Sequence, residues 1–337
     1  MNSENQTFIE ENSLTTKPIF FTCILTVEIP GILCSFLIFF YFIFNWRLMM
    51  IKSLHNHPIF LLTILTILYL TADLPFIMSF IRTGFDIIRI PSFCKWWFWF
   101  DYTLTAESLY LAAISSIQRH IVVFHSQWLR SRRLRWMVHY IPLIFCVIYP
   151  ALFYIIIMFL YPCTNFYDET SLNCMYPCYM NTIAITTTDW IVNSAIPVWT
   201  NGIANLLLIV RVIHSKRKIY RQQRNTWNKQ KKLAFNLLVY SLLYFLWFPT
   251  TIIMLIQYSV YPTLIQDILA VYYVYASCIF VAPLQPFMFL LALPELTQSI
   301  KRQLRLARPT VATEIPLAVP KPNLTSKRIH VNNDGQN

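Results

Sequence analysis

The sequence predicts an all-α membrane protein: a seven-transmembrane helix bundle with a short amphipathic eighth helix. Three observations carry this. The 337 residues are 56% hydrophobic and only 12% charged, too apolar for an ordinary soluble surface. Apolar runs of about 20 residues recur, the length that crosses a hydrocarbon core as a helix. Only 4 Gly and few Asn or Asp turns argue against a membrane barrel, which needs many hairpins.

Residues 1–17 are polar, with no basic n-region and no small-residue cleavage site. They are expected to remain as an extracellular N-terminus, with helix 1 as its own insertion signal. The predicted spans are Pro18–Asn45, Pro58–Arg82, Cys94–His125, Trp136–Tyr161, Thr182–Ile213, Lys229–Tyr258 and Leu264–Leu293. The membrane-embedded body with its eighth helix is expected over residues 18–306, and a disordered cytoplasmic tail over 307–337. An odd number of crossings sets the termini on opposite sides.

Charge decides which side. With the N-terminus outside, all of the 27 Lys and Arg except Lys17, Arg82, Arg89 and Lys95 face the cytosol, as the positive-inside rule requires. A multi-pass protein of the plasma membrane is expected, its C-terminus cytoplasmic. The net charge of +12 is then accounted for by the anionic inner leaflet of the bilayer, without nucleic acid. The sequon at Asn5 lies outside and is a candidate glycosylation site. The one at Asn323 lies in the cytosol and is expected to stay bare.

The 8 cysteines divide by compartment. Cys23, Cys34, Cys146 and Cys278 fall inside helices and read as small apolar residues. Cys94, Cys163, Cys174 and Cys178 face the oxidising exterior and read as two disulfides. Four cysteines allow 3 pairings, and sequence does not choose. The preferred pairing joins Cys94 to Cys178, tying helix 3 to the following loop, and Cys163 to Cys174 across a hairpin turning near Asp168 and Glu169. Exchange of Cys174 and Cys178 is nearly equal to it.

Arg119 ends the third apolar stretch, which Cys94 begins. A guanidinium at the end of a membrane helix needs a partner or a task. Asp73, Asp101, Glu107, Glu28 and Asp189 are further ionisable groups within spans, and each needs compensation. Asp101, flanked by Trp97, Phe98 and Tyr102, suits a desolvated ammonium or guanidinium, with cation–π support. Its other reading is an ion pair with Lys95 or Arg82.

These residues resemble the rhodopsin-like (class A) G-protein-coupled receptors over about residues 18–306. Cys94 and Arg119 stand as that family's helix-3 cysteine and arginine. Gln118-Arg119-His120 resembles Glu/Asp-Arg-Tyr, and Leu70-Thr71-Ala72-Asp73 the acid region of helix 2. Pro197 resembles the helix-5 proline, Trp247-Phe248-Pro249 the helix-6 Trp-x-Pro, and Gln285-Pro286 through Phe289 the helix-7 Asn-Pro-x-x-Tyr. Leu296, Ile300 and Leu304 form an apolar stripe suited to a helix on the inner membrane face. The departures are Ser35 for the helix-1 Asn, Gln118 for an acid, Lys229 at the base of helix 6, Asn205 for the helix-5 Tyr, and Gln285 and Phe289 in helix 7. No clear helix-4 Trp is found.

The resemblance implies a ligand-gated switch that activates a heterotrimeric G protein by helix-6 movement, with no catalytic residues. The ligand-binding residues it implies are Asp101, Tyr102, Asp189 and Trp247. The switch residues are Gln118, Arg119, His120, Trp247, Pro249, Pro286 and Phe289. Asp73 with Ser108 resembles the family's sodium site, so Na+ is the one small ion expected. A structural, hydrogen-bonded Asp73 is the other reading. No other cofactor and no metal site is expected. Without an acid beside Arg119, basal signalling is expected to exceed that of a locked receptor. The ligand is expected to be a small molecule or short peptide, cationic in character. Helix 7 has no lysine, which disfavours a retinal Schiff base. The rivals are a polytopic transporter, which would show inverted repeats, and a chemosensory channel.

Overall fold

The computed structural model describes residues 3–51, 54–83, 88, 90–124, 127, 129, 131–167, 174–215, 243–244, 247–259 and 268–292. The eighth-helix stripe, Lys229, Asn323 and the hairpin turn at Asp168 lie outside these residues, as does the whole of the second of two compact units, Met1–Gln298 and Ser299–Asn337.

Helix α1 is Ser3–Phe44. It begins well before the predicted Pro18, because Glu4, Gln6, Glu10 and Glu11 are tolerated in helix, so polarity alone does not end it. Helix α2 runs His57–Thr83, with a wide π-helical turn at Tyr69–Asp73. Pro58 stands at its first turn, where the missing N–H would be unpaired anyway. Helix α3 is Pro91–Phe124, unbroken α-helix over 34 residues. Helix α4 runs Arg132–Leu160, with π turns at Trp136–Tyr140 and Ile156–Leu160. Helix α5 covers 183–215 with a π turn at Trp190–Ala195. Helices α6, Trp247–Ser259, and α7, Ile268–Ala292, complete the described helices.

Among the described residues, four stretches are long and apolar enough to cross a membrane: Phe20–Phe44, His57–Thr83, Arg132–Leu160 and Ile183–Arg211. α3 is not among them, since it carries Lys95, Asp101, Glu107 and Arg119. Its place in the bundle explains this. α3 packs against α2, α4 and α5, so its polar groups meet protein. α4 sits outside it and turns Ile141, Ile144, Phe145, Ile148, Leu152 and Phe159 outward. Such an exposed apolar face is what a helix presents to lipid.

α1 lies against α7. A Cβ placed at Gly31 would stand 2.9 Å from the carbonyl oxygen of Pro283, so glycine is what allows this approach. α7 contains Pro283 and Pro286, each of which removes a helical hydrogen bond.

Between α4 and α5 lies a two-stranded antiparallel hairpin, β1 Phe166–Tyr167 and β2 Met175–Tyr176, with Phe166 opposite Tyr176. The disulfides are Cys94–Cys174 and Cys163–Cys178, which corrects the preferred pairing and matches its near-equal exchange. The hairpin register is the physical reason. Extended outward, it sets residue 163 level with residue 179, so Cys178 and not Cys174 comes to Cys163. Cys174 is then left for Cys94 on α3. Of the cysteines expected inside helices, Cys34 and Cys146 are buried but Cys23 is exposed. The side chain of Cys278 lies outside the described residues, as does that of Asn5.

Candidate functional site

Three layers of polar contact run along α3. The outer layer is built on Asp73 and Asp101. Asp73 is completely buried and accepts the indole N–H of Trp97 at 2.7 Å. Asp101, one helical turn after Trp97, lies beside the same carboxyl. The expected grouping of Asp73 with Ser108 is therefore not what the fold assembles. Lys95, an expected partner of Asp101, sets its ammonium over the Phe159 ring at 5.2 Å.

Tyr102 stacks on Phe98 at 4.1 Å and meets the edge of Tyr154 at 5.7 Å. Tyr154 leads to Asp189, also buried. One oxygen of Asp189 accepts from Tyr154 Oη at 2.9 Å and Asn193 Nδ2 at 2.7 Å, and the other from Tyr179 Oη at 3.1 Å. Three donors from α4, α5 and the loop after the hairpin satisfy this carboxyl. Asp189, expected as a ligand group, here ties α4, α5 and the loop after the hairpin together.

The middle layer is a small cavity lined by Thr66, Tyr69, Thr105, Ser108, Tyr244, Trp247 and Gln285 among others. It holds about 30 Å³, room for about two waters. Ser108 donates to Leu104 O at 2.8 Å. Nε2 of buried Gln285 has no hydrogen-bond partner. Trp247 thus shares a cavity with Ser108 and the helix-7 polar residue, while the acid stands elsewhere. Pro249 is exposed on α6, and Pro286 and Phe289 are buried in α7. Phe248 packs on Trp199 of α5 at 4.4 Å.

The inner layer surrounds Arg119, which is only 4% exposed. Its Nη2 donates to Ser115 Oγ at 3.2 Å. Gln118 Nε2 donates to the carbonyl oxygen of His139 on α4 at 3.3 Å. His120 Nε2 meets Ala204 O on α5 at 3.0 Å. Gln118 and His120 thus fasten α3 to helices on either side of the arginine. Two residues above them, Ser116 Oγ stands 2.6 Å from Asn201 Oδ1, and Asn205 Nδ2 reaches Asn201 Oδ1 at 2.9 Å and Ser116 Oγ at 3.2 Å.

Sequence reading missed Trp97 as the partner of Asp73, the tyrosines at Asp189, and the Ser116–Asn201–Asn205 group. Asn201 and Asn205 carried a signal, being amides one helical turn apart in an apolar stretch. Tyr179 carried none. Among the described residues, no group of three or more His, Cys, Asp or Glu is arranged to hold a metal. No family model and no curated protein matches this chain.

Proposed function

We propose that this chain is a receptor of the rhodopsin-like G-protein-coupled class, with seven crossings and its N-terminus outside the plasma membrane. It binds an extracellular small ligand or short peptide of cationic character and activates a heterotrimeric G protein through helix-6 movement. The observation that carries the reading is the arrangement of α3. This helix lies inside the bundle, is bridged by Cys94 at one end, and bears buried Arg119 between two interhelical fastenings at the other.

Asp101 and Tyr102 are the ligand contacts of this reading, with Trp247 beneath them and Asp189 holding the wall. A sodium ion, if the receptor uses one, would sit at Asp73 and Asp101. Ligand binding acts only by favouring one conformation over another. Trp247 stands against the cavity above which such a difference is registered.

The test is nucleotide exchange on reconstituted G protein, first without ligand and then with a panel of monoamines and basic peptides. Wild type shows basal exchange, Arg119→Ala loses it at unchanged surface expression, and Asp101→Asn loses the response to any active cation. Exchange unaffected by Arg119→Ala, or solute flux without G protein, overturns the reading in favour of a transporter or channel.

A further inference from the structure

We infer that His57 and His139 form a proton-binding site that latches α2 to α4 at the Arg119 end of the bundle. His57 Nδ1 and His139 Nε2 are 2.8 Å apart, and His57 Nε2 lies 2.7 Å from Met50 O. A carbonyl oxygen only accepts, so His57 Nε2 carries a hydrogen. In neutral His57 the Nδ1 atom is then a bare lone pair, and the hydrogen between the rings belongs to His139 Nε2. The backbone contact fixes the tautomer of both rings.

This arrangement counts protons. With both rings neutral, one hydrogen lies between them. One added proton leaves that hydrogen bond in place, since one facing nitrogen still offers a lone pair. A second added proton puts an N–H on both facing nitrogens of two cations, and the latch opens. Histidine is the side chain whose ordinary range lies nearest neutrality, and with His139 buried and Arg135 alongside, the second proton arrives only in the acid range.

The surroundings are defined. Arg135, on the same helix as His139, faces the pair as a like charge. Tyr140 sets its ring 5.8 Å from His57 and 4.9 Å from His139. From α3 the neighbour is the neutral amide of Gln118, held on the His139 carbonyl. His139 is 2% exposed, so the pair is shielded from bulk water on that side. Because Gln118 precedes Arg119, opening the latch loosens the helix to which the arginine's neighbour is fastened. The site stands whether or not the chain couples to a G protein.

The test uses the full-length protein in lipid nanodiscs, with Cys23→Ser and spin labels at Ile51→Cys and Met137→Cys, both exposed. On acidification from pH 8 to pH 3.5 the wild-type background gains a longer-distance population, reversibly. His57→Gln and His139→Gln, whose amides hydrogen-bond at any pH, show no such transition. A pH-invariant wild type, or the same transition in both variants, overturns the inference. Unsubstituted protein labelled with 15N-histidine gives a second reading. A nitrogen–nitrogen coupling across the ring pair is present at neutral pH and lost at low pH. Its absence at neutral pH overturns the site even where the variants fail to fold.

Discussion

Trp97 donates its indole hydrogen to Asp73 at 2.7 Å, and both side chains are almost wholly removed from solvent. One residue is on α3 and the other at the end of the wide turn of α2. The bond thus joins two helices through a group that would be costly to bury alone.

Trp97→Phe keeps an aromatic ring and removes the donor. The expected loss is about 1–3 kcal/mol, the range for stranding a buried polar group. Thermal unfolding in nanodiscs measures it. Asp73→Asn retains a carbonyl oxygen for the indole and is expected to lose less.

Asp189→Ala strands three donors, Tyr154, Tyr179 and Asn193, and is expected to destabilise the fold by about 3 kcal/mol or more. Tyr154→Phe removes one bond and should cost about 1 kcal/mol. The unfolding midpoint decides between this structural role and a ligand contact. A ligand residue would lower the response and leave the midpoint in place.

The two bridges close loops of different length, with sequence separations of 80 and 15 residues. By unfolded-chain entropy these contribute about 4.5 and about 3 kcal/mol. Cys94→Ser with Cys174→Ser is therefore expected to lower stability more than Cys163→Ser with Cys178→Ser. Non-reducing peptide mapping should recover 94 linked to 174 and 163 linked to 178, and a 94–178 peptide would contradict the fold.

Gly31→Ala drives a methyl toward the Pro283 carbonyl, 2.9 Å away. Backbone on that side cannot turn aside as a side chain does, so α1 and α7 must separate. A loss of about 1–3 kcal/mol is expected, as for other overpacked contacts, measured by thermal unfolding. Gly202→Ala serves as the comparison.

The described apolar helices and the set of four cysteines that pair are legible because they rest on local rules: apolar run length, and an even number of cysteines outside the apolar runs. The carboxyls are not. The resemblance groups Asp73 with Ser108, an arrangement that presumes an ordinary α-helical turn before the acid. The π turn at Tyr69–Asp73 holds an extra residue, so side chains at its end face elsewhere. Asp189 was read as a ligand group because nothing in the sequence tells that Tyr179, in a loop, folds onto it. Arg119 was legible as a buried cation, yet its fastening depends on Gln118 and His120, whose partners are backbone carbonyls that any residue type supplies.

The wide turns also bear on how this chain tolerates changes of length. A residue deleted within 156–160 of α4 leaves an ordinary α turn in place of the π turn, and both flanks keep their facing. α3 has no such slack. A deletion between 101 and 118 would swing everything after it by about 100°, carrying Arg119 away from its present surroundings. Indels among descendants of this sequence should therefore be admitted in the outer rods and refused in the central one.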